Sequence, residues 1–200
     1  MKRLFLLLTA MVATQGFAQR VTVEEGNLKS LAGTKQINVV FDYTQMHIGK
    51  DNLTEQAYVA EHTEWLNNKS VGKGDSWAKS WAIAKEMLWQ PKFIELVNVI
   101  MKKAKKDIVF KEGDSEAPIT LAVNTLWIYQ GWDAGVMKQP AKVTTSLVFT
   151  DKSGKVLCKL LSEEAPGDQY GSNFNDESRL AEGYAKTGKT LGKLIEKALK

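Results

Sequence analysis

Hydrophobic positions at the start of the chain form a pattern that differs from everything after it. Lys2 and Arg3 precede an apolar run, Leu4 to Val12, which is followed by the small-residue pattern Gly16-Phe17-Ala18. This order is typical of a secretory signal peptide that is cleaved after Ala18. The apolar run is too short to anchor a chain across a bilayer. We therefore predict a signal peptide at residues 1–18 and an exported protein, periplasmic or extracellular, without a transmembrane span.

After residue 18, the spacing of apolar residues changes along the chain: it is first irregular, then typical of a strand, and then typical of helices. Polar residues without periodicity dominate residues 19–36, which predicts an extended N-terminal segment. The run from Ile37 to Tyr43 is rich in β-branched and aromatic residues and predicts a strand. From Thr54 to Ala104, apolar residues recur every three or four positions, which predicts a helical insert after this first strand.

Residues with capping or breaking properties mark the helix ends within the insert. Thr54 is placed to cap the first helix, which we expect to reach Asn67, and Asp75 or Ser76 is placed to cap the second. Pro91 predicts either the end of the second helix or the first turn of a third. The apolar stripe expected on the second helix consists of Trp77, Trp81, Ala84 and Leu88.

The second half of the chain alternates in the manner of strands and ends in a helix. We predict strands at Ile108 to Phe110, Ile119 to Gln130, Lys142 to Thr150 and Lys155 to Leu161. The sequence Asp151-Lys152-Ser153-Gly154 predicts a hairpin turn between the last two strands. A helix is predicted from about Asp176 toward Lys200. Gly188 and Gly192 share one surface of it, where a missing Cβ allows close approach to another element.

Together these elements predict a single α+β domain at residues 37–200. We expect a mainly antiparallel sheet packed by helices, with a helical insert after the first strand and a long C-terminal helix across the sheet. The order of the strands beyond the Asp151 hairpin does not follow from the sequence.

Composition excludes several function classes. The 200 residues are 44% apolar and 25% charged, and they include one cysteine, Cys158, and two histidines, His47 and His62. Such a chain builds neither a Cys-rich zinc site nor a disulfide framework. The formal net charge of +4 falls to +2 once Lys2 and Arg3 leave with the signal peptide, so we expect no nucleic-acid partner. Because the cysteine is far from the cleavage site, we expect no lipid anchor either.

No motif in the chain predicts catalysis, a metal site or a cofactor. His62 has no second histidine at the spacing of a helical zinc pair. The segment Gly72-Lys73-Gly74 lacks both the preceding strand and the spacing of a phosphate-binding loop. The oxygen-bearing side chains between Asp168 and Glu177 do not follow EF-hand order, which leaves a loop calcium site as an open alternative. We therefore predict no catalytic residues, no metal ligands and no cofactors.

Six tryptophans are the most unusual feature of the composition. Trp132 lies in the segment Gly131-Trp132-Asp133-Ala134-Gly135, where a large apolar ring between glycines predicts an exposed contact for a glycan or an envelope protein. We take Trp132, Tyr129 and Asp133 as the candidate contact residues. The alternative is that Trp132 folds back onto the core, as loop tryptophans also do.

The layout resembles that of small exported bacterial proteins. The chain is similar in layout to periplasmic α+β domains of transport-auxiliary and curli-secretion lipoproteins. The shared features are a signal peptide, a strand followed by helices, a strand meander with an Asp-x-x-Gly hairpin, and a closing helix. In this chain the closing helix contains Arg179-Leu180-Ala181-Glu182-Gly183 and Leu191-Gly192-Lys193-Leu194. This chain departs from them because it has no lipobox cysteine and because its helical insert is larger. The resemblance implies a binding or assembly role in the cell envelope and implies no catalytic residues.

Two function classes are consistent with these observations. The first is a non-enzymatic binding or assembly module that uses the loop from Gly131 to Gly135 and the open face of the sheet. The alternative is a carboxylate-dependent hydrolase in which Asp168 and Asp176 form an acid/base pair, one of them with a pKa raised by burial. The first predicts that the ring of Trp132 is exposed, and the second predicts a cleft that brings two carboxylates together.

Overall fold

One mixed β-sheet organises the computed structural model, which describes residues 19–133, 138–167 and 175–200. The predicted signal peptide lies outside the described residues. The strands are β1 (Arg20–Gly26), β2 (Gln36–Asp42), β3 (His47–Ile48), β4 (Leu53–Thr54), β5 (Val109–Glu112), β6 (Ile119–Tyr129), β7 (Trp132–Asp133), β8 (Lys138–Gln139), β9 (Ala141–Asp151) and β10 (Val156–Gly167). Of these, β7 and β8 pair with each other outside the main sheet.

Most of the helical residues lie between β4 and β5 and at the C-terminus. The helices are α1 (Glu55–Lys69), α2 (Lys73–Ala84), α3 (Gln90–Lys103) and α4 (Asp176–Ala198). A π-helical turn at Lys85–Trp89 joins α2 directly to α3, and a short 3-10 turn at Leu28–Leu31 follows β1. Among the described residues, no helix is both long enough and apolar enough to span a membrane.

The sheet combines antiparallel and parallel pairing. Its main path runs β1-β10-β9-β6-β2-β5. Pairing is antiparallel from β1 through β6, whereas β2 is parallel to both β6 and β5. Parallel neighbours require a crossover connection, and the helical insert supplies one between β2 and β5. The structure therefore confirms an α+β single domain with this insert and with a long C-terminal helix packed on the sheet.

The segment 19–36 contributes an edge strand and two core residues. In β1, Arg20 lies opposite Glu163 of β10 and Gly26 lies opposite Cys158. Leu28 and Leu31 of the 3-10 turn are buried. The extended conformation predicted for this segment therefore extends the sheet by one strand.

Helix α2 starts two residues before the capping residues that the sequence indicates. Thr54 caps α1 as predicted, by accepting a hydrogen bond from the Ala57 amide. The prediction that Asp75 or Ser76 caps α2 is wrong, because α2 begins at Lys73. The side-chain oxygen of Asn67 in α1 accepts a hydrogen bond from the Gly74 amide at 2.8 Å. The neighbouring helix thereby satisfies a free amide that a cap would otherwise satisfy.

The π-helical turn shifts the buried face of the insert by one residue. Trp81 and Ala84 are buried as predicted, but Leu88 is 37% exposed and Trp89 is fully buried in its place. A π-turn holds one residue more than an α-turn, so the apolar stripe continues one position later. Pro91 directly follows this turn and lies in the first turn of α3, where a missing amide is tolerated.

The hairpin between β9 and β10 is confirmed. The Gly154 amide donates to the Asp151 carbonyl at 3.0 Å, and a side-chain oxygen of Asp151 accepts from the Ser153 and Lys155 amides. Cys158, shortly after the turn, is fully buried in the core, and burial raises the pKa of its thiol. A buried neutral thiol of this kind acts as a small apolar side chain.

Glycines allow α4 to approach its neighbours closely. A Cβ at Gly192 would lie 2.7 Å from Cβ of Ile100 in α3. A Cβ at Gly188 would overlap the carbonyl oxygen of Phe93, which also belongs to α3. A Cβ at Gly183 would lie 2.6 Å from a methyl group of Val143 in β9. The close approach predicted for Gly188 and Gly192 is thus confirmed, and the element that they approach is α3.

Candidate functional site

An irregularity in β6 places two aromatic rings on the face of the sheet away from α4. The register of β6 against β9 shifts between Thr125 and Trp127, so that Thr125 pairs with Thr145 and Trp127 with Thr144. Because strand side chains alternate, an extra residue reverses the orientation of everything after it. Ile128 is consequently buried. A strictly alternating strand from Ile119 to Gln130 would place Trp127 and Tyr129 on the same face as Thr125, and the structure shows them on the opposite face.

Trp127, Tyr129 and Trp132 form a surface that we call the aromatic strip. The rings of Trp127 and Tyr129 are parallel to within 4°, with centroids 6.1 Å apart. Trp132 is 41% exposed. The side-chain oxygen of Gln139 accepts hydrogen bonds from the Tyr129 hydroxyl at 3.0 Å and from the Trp132 indole at 3.1 Å. Gln139 thus holds two of the three rings in a fixed relation.

Polar groups border the aromatic strip. The Trp127 indole donates to the carbonyl oxygen of Gly49 at 2.8 Å. Lys142, which lies opposite Tyr129 in β9, forms an ion pair with Glu164 at 2.7 Å. The Glu164 amide in turn donates to the Thr144 hydroxyl at 3.1 Å. Rings with fixed positions and a polar border are typical of a ligand-binding surface.

The structure places the three predicted contact residues as follows. Tyr129 ends β6, while Trp132 and Asp133 form β7, in which Asp133 lies opposite Lys138 of β8. The loop that joins β7 to β8, residues 134–137, lies outside the described residues. The prediction that Trp132 is exposed agrees with the structure, in which 41% of this residue's surface is exposed. Trp127, which a regular strand would direct toward the core together with Thr125, joins these residues through the β6 irregularity.

A second concave surface lies beside α1 and was not predicted. We call it the α1 groove. It has a volume of about 520 Å³ and is lined by Ile48, Gly49, Asp51, Leu53, Tyr58, Glu61, His62, Trp65 and Gln130. The aromatic wall comes from α1, where the spacing of Tyr58, His62 and Trp65 places them on one helix face. That spacing is visible in the sequence, but the residues contributed by the β3–β4 turn and by the end of β6 are not.

Rings stack along the wall of the α1 groove and continue into the core. The His62 ring lies 5.5 Å from that of Tyr58 and 5.3 Å from that of Trp65. Behind them, Trp77, Trp81 and Trp89 connect the wall to Tyr184 of α4. Burial lowers the pKa of His62, Lys69 lowers it further, and the nearby charge of Asp176 opposes both. The imidazole is therefore neutral at neutral pH.

The acid/base pair of the hydrolase alternative is described only in part. Asp168 lies outside the described residues. Burial raises the pKa of Asp176, whereas its ion pair with Arg179 lowers it. Within the described ranges, no three His, Cys, Asp or Glu residues cluster in a way that could hold a metal ion. Asn175, one of the oxygen-bearing residues of that loop, caps α4 by accepting from the Ser178 amide.

Comparisons with known proteins give a likeness of overall arrangement only. Neither a protein-family profile nor a curated protein sequence matches the chain. Among solved structures, the PelC dodecamer from Paraburkholderia phytofirmans is similar over 91% of this chain and 95% of its own, with a TM-score of 0.39 and 13% identity. A point variant of that dodecamer, from the same organism, covers the same shares with a TM-score of 0.37 and 11% identity. Likeness at this level assigns neither a family nor a function to the chain.

Proposed function

We propose that this protein is a non-enzymatic binding module of the cell envelope that holds a glycan on the aromatic strip. The single observation that supports this most directly is the exposed ring of Trp132, which Gln139 ties to Tyr129. Export to the envelope rests on the signal-peptide pattern of residues 1–18.

The chemistry of the strip suits a sugar ring. Sugars present patches of C–H groups that pack on aromatic faces, surrounded by hydroxyl groups that need hydrogen-bonding partners. The parallel rings of Trp127 and Tyr129 supply the faces, and the Lys142–Glu164 pair at the border supplies a donor and an acceptor. Because hydrogen bonds already fix the rings, binding costs little side-chain entropy.

Replacing Trp132 tests the proposal. Native gel electrophoresis through gels that contain laminarin, dextran or alginate measures retardation by a neutral or an acidic polysaccharide. We expect at least one of these glycans to retard the protein, and we expect Trp132→Ala to weaken that affinity by about tenfold, because one ring of the strip is lost.

Trp65→Ala is the matched control, since Trp65 is also an exposed tryptophan but lies in the α1 groove. This variant should be retarded like the unmodified protein. Equal retardation of Trp132→Ala and the unmodified protein, or no retardation in any gel, would contradict glycan binding at the strip.

A further inference from the structure

We propose that the α1 groove binds an organic cation of the alkylammonium or quaternary ammonium class. This site is separate from the aromatic strip and does not depend on the glycan proposal. It rests on three features of the groove: an aromatic wall, acidic side chains at the opening, and a lysine of the chain itself already seated on one of the rings.

The aromatic wall has an accessible ring and a buried one. Trp65 is 50% exposed, whereas Tyr58 is 8% exposed and stacks on His62. The face of an aromatic ring carries partial negative charge and attracts a cation that lies within about 6 Å of its centre. Tryptophan attracts cations most strongly, and several rings around one cation form the cage that recognises quaternary ammonium groups.

The charges at the opening of the groove have the sign that a cation requires. Asp51 and Glu61 are exposed carboxylates that line it. None of the nine described lining residues is a lysine or an arginine. The remaining titratable ring, His62, is neutral at neutral pH because burial lowers its pKa. The two lining carboxylates outweigh the ammonium of Lys69, which lies against the Trp65 ring beside them, so the groove keeps a net negative charge that favours a cation over an anion.

The chain itself shows that a cation is stable against this wall. The Nζ atom of Lys69 lies 3.3 Å from the centre of the Trp65 ring, one helical turn further along α1. This contact uses the same interaction that an external ammonium group would make with the rings of the groove.

The wall of the groove also contains a buried hydroxyl group, that of Tyr58. The Tyr58 hydroxyl is buried and makes no hydrogen bond of good geometry with the described residues, although the side chain of Gln130 lies close enough to lower its pKa slightly. Burial raises the pKa of this phenol, so the group stays protonated and can donate. Buried hydroxyl groups usually have a well-formed hydrogen bond, so this hydroxyl and the neighbouring Gln130 side chain suit a ligand that carries a polar group next to its cationic group.

The volume of the groove sets the size of the ligand. About 520 Å³ accommodates a small molecule and not a folded domain. The ligand class is therefore a small cation with apolar groups on or beside its nitrogen, which rings can surround, together with a short polar extension.

Choline and its neutral isostere 3,3-dimethyl-1-butanol test the charge requirement, because they have the same shape and differ in the atom at the centre of the branched group. Isothermal titration calorimetry of the full chain should show saturable binding of choline at least about tenfold tighter than that of the alcohol. Equal affinities would mean a plain apolar pocket and would overturn the proposal, as would the absence of saturable choline binding.

Variants locate the site. Trp65→Ala and Glu61→Gln should each weaken choline binding several-fold, because the first removes a ring and the second removes a charge. Glu64→Gln is the matched control, since Glu64 is exposed on the same helix and is absent from the described lining. An equal effect of Glu61→Gln and Glu64→Gln would overturn the assignment to the groove.

The two proposals can fail independently of each other. Trp132→Ala should leave choline binding unchanged, and Trp65→Ala should leave retardation by polysaccharide unchanged. A loss of choline binding in Trp132→Ala would show that one surface serves both ligands, which would overturn a separate cation site.

Discussion

His62 has aromatic rings on several sides, and burial among them favours its neutral form. Its ring centre lies 4.3 Å from that of Trp77, with Tyr58 and Trp65 as further neighbours. Burial among them lowers the pKa of the imidazole. A protonated His62 would carry a positive charge into the wall of the α1 groove, so protonation changes both the stability of the fold and the electrostatics of the groove.

We predict that His62 makes the folded protein less stable in weak acid. The unfolded chain protonates this side chain near pH 6.5, whereas the folded protein resists protonation until a lower pH. The unfolded state therefore binds more protons below about pH 6.5, and the free energy of unfolding falls as the pH falls through this window. Urea unfolding between about pH 7.5 and 5 measures the effect.

His62→Gln is the comparison protein for this measurement. Its stability should depend less on pH across the same window. Asp176 and Glu177, whose pKa values burial raises, act in the opposite direction because the folded state then binds more protons than the unfolded chain. Both proteins retain these carboxyl groups, so the difference between the two profiles reports His62 together with its electrostatic coupling to Asp176. Parallel profiles would contradict the prediction.

At the scale of elements, the contact between α3 and α4 holds the helical insert onto the sheet. Gly188 and Gly192 of α4 leave room for the backbone at Phe93 and for the side chain of Ile100. Glycine within a helix costs up to about 1 kcal/mol relative to alanine. The close approach that the two glycines allow offsets this cost through packing of the two helices.

We predict that Gly188→Ala destabilises the fold even though alanine favours helix. An added Cβ would overlap the Phe93 carbonyl oxygen, so α3 and α4 must separate, at a cost of about 1–3 kcal/mol for overpacking. Lys189→Ala is the control, because Lys189 is exposed on the next position of the same helix and should change stability by less than about 0.5 kcal/mol. A higher melting temperature for Gly188→Ala would contradict this packing.

Two other elements contain one residue more than a regular period allows. The irregularity after Thr125 in β6 turns Trp127 and Tyr129 to the open face, and the π-helical turn brings Trp89 into the core instead of Leu88. In both elements the residues at the two competing core positions are apolar, Trp127 and Ile128 in β6 and Leu88 and Trp89 in the π-turn, so the sequence pattern agrees with a regular and an irregular conformation alike. The irregular conformation of β6 is set by its pairing with β9, and that of the π-helical turn by the stacking of Trp89 on Tyr184.

At the scale of the molecule, the aromatic strip and the α1 groove meet near the end of β6. Gly49 lines the groove and also accepts the hydrogen bond from Trp127 of the strip. Gln130, another lining residue, directly follows Tyr129. Two surfaces of different chemistry thus lie side by side at one end of the sheet.

We predict that the mature protein begins at Gln19. Cleavage after Ala18 follows from the small-residue pattern before it. In the fold, the Gln19 side chain donates to Ser162 at 2.8 Å and accepts from Thr190 at 2.5 Å, so the fold already contains this residue. N-terminal sequencing of protein recovered from the cell-envelope fraction checks the prediction. A chain that retains residues 1–18 in that fraction would contradict it.

The elements whose formation depends on local interactions could be predicted from the amino-acid sequence. The Asp151 hairpin, the Thr54 cap, the long closing helix and the α+β class all follow from turn residues, capping residues and apolar periods, which act over a few positions. The exposure of Trp132 agrees with the glycine-containing segment from Gly131 to Gly135, although the structure places this residue in the short strand β7 and not in a loop.

Contacts between residues that are distant in the sequence became known only from the folded structure. Four features depend on contacts between residues far apart in the chain. They are the strand order, the start of α2 opposite Asn67, the shifts in β6 and at Trp89, and the lining of the α1 groove, which comes from three separate segments. Such contacts are selected by packing and hydrogen bonding in three dimensions, and a local pattern is compatible with several of them. For this reason the sequence indicated Trp132 and Tyr129, whereas the groove became visible only in the folded protein.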